Sequence, residues 1–253
     1  MLLAMNASPI SPQAPANIHV AITPALYTGE NNTVVAVDVL RATTAICAAF
    51  QAGVEEIVPL ESLQDLEKYR GKGYLRAAER GGLKVGDAEF GNSPTEYLNA
   101  SHAAALRHAR IAYSTTNGTR CILRGADAQE TYVGAFANIT ALTAKLLTHP
   151  TSLTIICSGW EGNFCIEDTL FAGALIARLA ASGLYTTHQD AAHMALDLWQ
   201  TGGSNSYVYC LERASHIQRL EGFGAHDDVV FAFRPDTCPV IPRLQSGKLL
   251  LER

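Results

Sequence analysis

The run VVAVDVLRATT, residues 34–44, ends an apolar stretch with an acid, an arginine and two adjacent threonines. The loop STTNGTR, residues 114–120, repeats the arginine and the threonine pair. Arg41 and Arg120 each fall at or near the expected amino end of a helix, where exposed N–H groups already carry partial positive charge and a cation is unfavourable. Two such arginines, each beside a Thr-Thr pair, point to an anionic guest that reverses the local electrostatics. Phosphate held by backbone N–H groups, hydroxyls and a guanidinium is the common solution. The competing reading makes Thr43, Thr44, Thr115, Thr116 and Asn117 helix caps and turn formers.

Asp38 closes a strand expected to be buried, so its carboxylate needs a partner, a metal or water. Glu167 and Asp168 stand together at the start of a later helix, with Glu161 in the loop before it. Adjacent acids in a first helical turn favour the dipole and need no other reason. Beside a phosphate site, however, carboxylates at strand mouths are the ligands Mg²⁺ takes, with water and phosphate oxygens filling its other positions. A glycine-rich stretch, Ala78 to Pro94, contributes Glu79, Arg80, Asn92 and Ser93 and allows close backbone approach to an anion.

Three segments place these residues with one grammar. TVVAVDVL, RATT and AICAAFQAG read as strand, polar loop and helix; ARIAYSTTNGTRCILRGA repeats it, and SLTIICSGWEGNFCIEDTLFAGALIARLAASG repeats it again. Further short strands are expected at EEIVPL and ETYVGA. The alternation predicts an α/β protein whose strands run largely parallel and are buried on both faces, with loops at the carboxyl ends of strands gathering into a ligand crevice. Residues 1–30 read as a loose leader with a first strand, and 31–253 as a single catalytic domain, or two closely packed lobes. The glycine-rich stretch reads as a mobile loop or an inter-lobe connection, and the proline-bearing last forty residues as extended edge segments.

Composition narrows the class. The 253 residues are 48% hydrophobic and 17% charged, enough for a large core, and 19 basic against 24 acidic side chains give a net charge of −5. No basic run tracks a phosphate backbone, so nucleic acid is not expected. The apolar stretches fall short of the roughly 20 residues a membrane span needs, and the opening residues lack a positive n-region; the expected location is the cytoplasm. Six cysteines without a C-x-x-C pair are expected to be reduced thiols. There is no P-loop motif and no G-x-G-x-x-G after a strand. The histidines lack metal spacing and read as surface or helix residues, with His216 the one open case.

The motifs DVLRATT, ERGG, GNSP, TTNGT, GAFAN, CSGWEGNFCIED followed by FAG, and SHIQRLEGFGAHDD occur in this order. Together they resemble the 2-phosphosulfolactate phosphatase family, the ComB proteins, across nearly the whole chain. The resemblance implies a ComB-like three-layer α/β/α fold with a largely parallel or mixed sheet, and a Mg²⁺-dependent hydrolase converting 2-phospho-3-sulfolactate to 3-sulfolactate, a step toward coenzyme M. It carries over Asp38, Arg41, Thr43 and Thr44; Glu79 and Arg80; Asn92 and Ser93; Thr115, Thr116, Asn117, Gly118 and Thr119; Asn138; Gly159, Glu167 and Asp168; and His216. Cys165 stands where a small hydroxyl residue is expected, beside a bulky Trp160, a departure that bears on the substrate more than on the chemistry.

The expected catalytic set is therefore Asp38, Arg41, Glu79, Arg80, Thr116 and Asn117. Substrate contacts are expected from Thr43, Thr44, Asn92, Ser93, Thr115, Gly118, Thr119, Arg120 and Gly159, with Mg²⁺ on Asp38, Glu167 and Asp168. Metal-activated water and Asp38 itself are the alternative nucleophiles. A lyase acting on a phosphorylated hydroxy acid and a non-catalytic phospho-metabolite binder are the rival functions. The expected partner is a small phosphate ester, and a homodimer is the expected assembly.

Overall fold

The computed structural model describes residues 14–29 and 32–252. Residues 1–13 and 30 of the expected leader therefore lie outside the described residues, and its expected first strand is β1 below. The strands are β1 (Ala16–Ala21), β2 (Thr33–Val37), β3 (Glu56–Pro59), β4 (Leu75–Arg80), β5 (Leu83–Lys84), β6 (Arg110–Ser114), β7 (Glu130–Gly134), β8 (Leu153–Cys157), β9 (Tyr185–Thr186), β10 (Pro242–Gln245) and β11 (Lys248–Leu251). They form one mixed sheet in the order β5-β4-β6-β3-β11-β10-β7-β2-β8-β1-β9.

Helices cover both faces, completing three layers. All five residues of β2 are buried, because alternate side chains enter different cores. Val35 and Val37 join Ile155, Phe171 and Leu175 in one cluster, while Val34 and Ala36 join Ile46, Ile122 and Ile156 in the other. The expected strand-loop-helix units are present: β2 leads into the helix Ala42–Gln51, β6 into Gly118–Arg124, and β8 into Ile166–Ala180. No helix among the described residues is long and apolar enough to cross a membrane.

Two parallel sets of strands share the sheet. β3, β4 and β6 run parallel to one another, as do β1, β2, β7, β8 and β9. Between them the hairpin β10–β11 pairs antiparallel with β7 on one side and β3 on the other. Three antiparallel junctions in succession reverse the ladder, so the two sets run in opposite senses. Their carboxyl ends nonetheless meet, which requires the sheet to turn back on itself near the hairpin. There the ladder is thinnest, with a single registered pair on each flank, Arg243 to Tyr132 and Leu249 to Ile57.

The last forty residues correct the expectation of edge segments. They contain the helices Ser215–Gly222 and His226–Ala232, followed by a hairpin in the middle of the sheet. Pro242 is tolerated because it is the first residue of β10. The Ala78–Pro94 stretch closes β4 and β5 into a hairpin at the sheet edge. Its turn, Gly81–Gly82, takes φ of +61° and +91°, which glycine adopts without penalty.

Candidate active site

Asp38 follows the last residue of β2 and is 7% exposed. Its Oδ1 accepts a hydrogen bond from Ala42 N–H at 3.3 Å, and its Oδ2 accepts none among the described residues. A Cβ on Gly118 would stand 2.3 Å from Ala42 Cβ and 2.7 Å from Asp38 Oδ2. Only glycine at the head of the Gly118–Arg124 helix lets the two loops meet around this carboxylate. Burial pushes the Asp38 pKa up to about 6, with the Glu79 and Glu167 charges adding to the rise and His216 and the Ala42 N–H opposing it.

Arg41, 7% exposed, donates from Nη1 to Asp228 Oδ2 at 2.7 Å and from Nη2 to the Gly82 carbonyl at 2.5 Å. Asp228 is itself held, its Oδ1 accepting from the hydroxyls of Ser93 (2.7 Å) and Thr95 (2.5 Å). Arg41 is thereby fixed to the β4–β5 turn and to the helix His226–Ala232. Glu79 accepts from Gly82 N–H (2.6 Å) and from the Thr116 hydroxyl and N–H (3.1 and 3.2 Å), pinning the turn against the loop after β6. Asn117 Oδ1 accepts from Glu161 N–H at 3.2 Å, closing the loops after β6 and β8 over the same spot.

His216, in the Ser215–Gly222 helix, lies 2.8 Å from Glu167 Oε1 through its Nδ1. The Trp160 ring packs on the imidazole with centroids 4.9 Å apart, and the Arg219 guanidinium sits 4.6 Å from the centroid of that indole. Glu167 Oε2 is buried without a hydrogen-bond partner among the described residues, which leaves the desolvation of this acceptor uncompensated.

Asp38, Arg41, Glu79, Asn92, Asn117 and His216 line one partly open cavity of about 10 Å³, room for roughly one water. An adjoining cleft of about 260 Å³ shares Arg41, Gly82 and Asn92 with it and extends past Lys84, Ser93 and Phe223.

Other expected residues sit beside the cavity with their polar atoms committed. The Thr43 hydroxyl donates to the Asp38 carbonyl and accepts from the Asp38 N–H, while the Thr44 hydroxyl donates to the Val39 carbonyl. The helix begins at Ala42, so both threonines belong to its first turn. Thr115 and Thr119 cap each other across the start of their helix. Asp168 staples two strand exits, accepting from Val39 N–H (2.8 Å), Gly159 N–H (3.0 Å) and the Ser158 hydroxyl (3.2 Å). Gly159 takes φ +60°, and a Cβ there would lie 2.1 Å from the Asn163 carbonyl oxygen. Asn138 bridges Ala135, Val133 and Val240, fixing the approach to β10. Arg80 is spent on the Glu79 and Ser114 carbonyls and the Ser114 hydroxyl. Arg120 is exposed, makes no hydrogen bond or ion pair among the described residues, and does not line the cavity. All six cysteines are buried and unpaired.

Comparison with known proteins supplies the family. The sequence model described as 2-phosphosulpholactate phosphatase matches residues 21–247. The chain belongs to the 2-phosphosulfolactate phosphatase family. Relatives named "Probable 2-phosphosulfolactate phosphatase" include one from Gloeobacter violaceus, 35% identical over 88% of this chain and 93% of its own. The relative from Carboxydothermus hydrogenoformans is 34% identical over 90% and 93%, respectively. That from Parasynechococcus marenigrum is 38% identical over 85% and 90%. In this member of the family, Asp228 was missed in the sequence. It is the second acid of a helical first turn, where a dipole role accounts for it equally well. The His216–Glu167 pair bridges 49 positions and leaves no spacing signal.

Proposed function

We propose that the chain is a Mg²⁺-dependent phosphatase that hydrolyses 2-phospho-3-sulfolactate to 3-sulfolactate and inorganic phosphate. The observation carrying this reading is the inner cavity, in which Arg41, the carboxylates of Asp38 and Glu79 and a histidine face one water-sized space, with Glu167 behind that histidine. Family membership and the relatives' printed names supply the substrate.

The donor set fits a hard divalent cation. Asp38 Oδ2 accepts no hydrogen bond and Glu167 Oε2 is a buried acceptor without a partner; oxygen donors of this kind suit Mg²⁺. Asp38 and Glu167 would hold it, whereas Asp168, with both oxygens committed to the loops, would act as a staple. When bound, the ion would neutralise phosphate charge and acidify a coordinated water.

The chain's own groups do the remaining work. The Arg41 guanidinium, preoriented by Asp228, neutralises the transferring phosphoryl group in a site that excludes bulk water. The side-chain amides of Asn92 and Asn117 donate to its oxygens. With Nδ1–H donated to Glu167 Oε1, the His216 ring keeps an electron pair at Nε2 and takes the proton from the attacking water. The departing sulfolactate oxygen, on the opposite side of phosphorus, takes its proton from a cleft water, and His216 releases the proton it has gained to solvent. Lys84, in the outer cleft, supplies a cation for a second acidic group of the substrate.

The test is phosphate release by the purified chain from 2-phospho-3-sulfolactate and a panel including phosphoglycolate, with Mg²⁺ and with a chelator. Release that is fastest from phosphosulfolactate and lost on chelation is expected. Carbonyl formation in place of phosphate release, or tight binding with no turnover of any ester, would overturn the reading. Rapid acid quench followed by mass spectrometry of the Asp38 peptide should find no phosphorylated aspartate; finding one would move the nucleophile from water to Asp38.

A further inference from the structure

We propose that Cys165, Glu167 and His216 form a binding site for a thiophilic divalent cation of the Zn²⁺ class, with a donor set different from the oxygen donors expected to hold Mg²⁺. Cys165 caps the Ile166–Ala180 helix, Glu167 lies in its first turn, and His216 reaches in from the helix Ser215–Gly222. One donor atom from each residue lies within 4.8 Å of the other two, and all three residues are buried. Tetrahedral zinc, with bonds of about 2.3 Å to sulfur and 2.0–2.1 Å to nitrogen or oxygen, needs donors roughly 3.3–3.7 Å apart. The three side chains therefore close on an ion with shifts of about 1 Å.

A second observation is independent of that spacing. Glu167 is 1% exposed and its Oε2 has no hydrogen-bond partner of normal geometry among the described residues; the Cys165 thiol proton, which leans on this carboxylate, is what an ion would displace. Charge points the same way. A thiolate, a carboxylate and a neutral imidazole cancel the two positive charges of the ion, so the buried cluster becomes neutral as a whole. Thiolate and imidazole select a soft or borderline ion over Mg²⁺. His216 also lines the inner cavity, so a water from that space could complete the coordination, as in sites with three protein ligands. On binding, the sulfur–metal bond forms as the Cys165 thiol proton passes to the buffer. The Trp160 ring against His216 limits how the imidazole can turn.

An ion at this site shares Glu167 and His216 with the hydrolytic machinery. Zn²⁺ would therefore inhibit in competition with Mg²⁺, a consequence that rests on the phosphatase reading. Binding itself does not, and is tested without activity. The full chain, stripped with a chelator and dialysed, is titrated with Co²⁺ and followed by absorption. One equivalent should give a sulfur-to-cobalt charge-transfer band in the near ultraviolet and the strong visible bands of tetrahedral cobalt. Zn²⁺ should abolish both, and excess Mg²⁺ should not. Cys165→Ser should remove the near-ultraviolet band and weaken Zn²⁺ binding by roughly 100-fold or more, since a direct ligand is worth at least as much as the outer-shell partners that cost 10–100-fold. Cys210→Ala, on a neighbouring helix, should change neither. His216→Gln should weaken the visible bands, which guards against misfolding of a single variant. Cobalt binding without the sulfur band, or a band that persists in Cys165→Ser, would overturn the proposal.

Discussion

Replacing Asp38 with asparagine should stabilise the metal-free protein at neutral and alkaline pH. The buried carboxyl is raised from the ordinary 3.8 to about 6, first by burial and then by the Glu79 and Glu167 charges. The folded state thus holds this proton more tightly than the unfolded chain. The stabilisation it provides is complete below about pH 4 and is lost as pH rises through about 6. Above that, the buried charge costs roughly 3 kcal/mol, at about 1.36 kcal/mol per tenfold change in proton affinity. Asparagine keeps the shape and an oxygen to accept from Ala42 N–H, but carries no charge. For a chain of this size about 3 kcal/mol corresponds to a shift of about 6–12 °C in Tm. Thermal melts in chelator at pH 8 should show Asp38→Asn melting higher by that order, with the gap closing towards pH 4. Added Mg²⁺ should raise the wild-type Tm and leave the variant unmoved, because the stripped site is strained by the charge that a cation neutralises. A variant that melts at or below wild type at pH 8 would refute the placement of a costly, unpaired carboxylate at the heart of the cavity.

Arg41→Ala should lower kcat/KM by about 10²-fold or more and also destabilise the fold by about 3–5 kcal/mol, because Asp228 is left buried and unpaired; Arg41→Ala combined with Asp228→Asn should recover stability without recovering activity. In Gly82→Ala a Cβ would sit 3.0 Å from the Phe223 ring at a φ of +91°, so turnover should fall several-fold and stability by about 1–3 kcal/mol. Adding Phe223→Ala should restore part of that turnover, and no restoration would place the defect in the backbone alone. Gly118→Ala drives a methyl against Ala42 Cβ and Asp38 Oδ2; stability should fall by about 1–3 kcal/mol in denaturant titration, with Mg²⁺ response lost.

The three strand-loop-helix units were legible because β-branched runs, polar loops and terminal glycines are local signals. The same locality explains why Asp38, Arg41, Glu79, Asn92 and Asn117 could be named in advance: each lies at or just beyond a strand's carboxyl end or in the glycine-rich loop. What was not legible depends on distance along the chain. Nothing near Arg41 announces Asp228, 187 positions away, and nothing in PRLQ or KLLL announces a place between β3 and β7. Thr43, Thr44 and Asp168 have the residue types of ligands, yet their oxygens serve backbone N–H and C=O groups that the turning loops leave unpaired. A hydroxyl or carboxylate that satisfies the backbone and one that binds phosphate are the same in sequence. Arg120 shows the reverse: its loop converges on the site while its side chain stays in solvent.

The central claim is that the carboxyl ends of two oppositely running strand sets enclose one phosphate site. A crystal structure of the full chain with Mg²⁺ and orthovanadate tests it most directly. The vanadium should lie where the inner cavity opens into the adjoining cleft, within hydrogen-bond distance of Arg41 and Asn92, with the metal on Asp38 Oδ2 and Glu167 Oε2. Vanadate bound elsewhere, for instance in the groove between Phe50, His108 and Leu251, with Arg41 still bound only to Asp228 and Gly82, would contradict it.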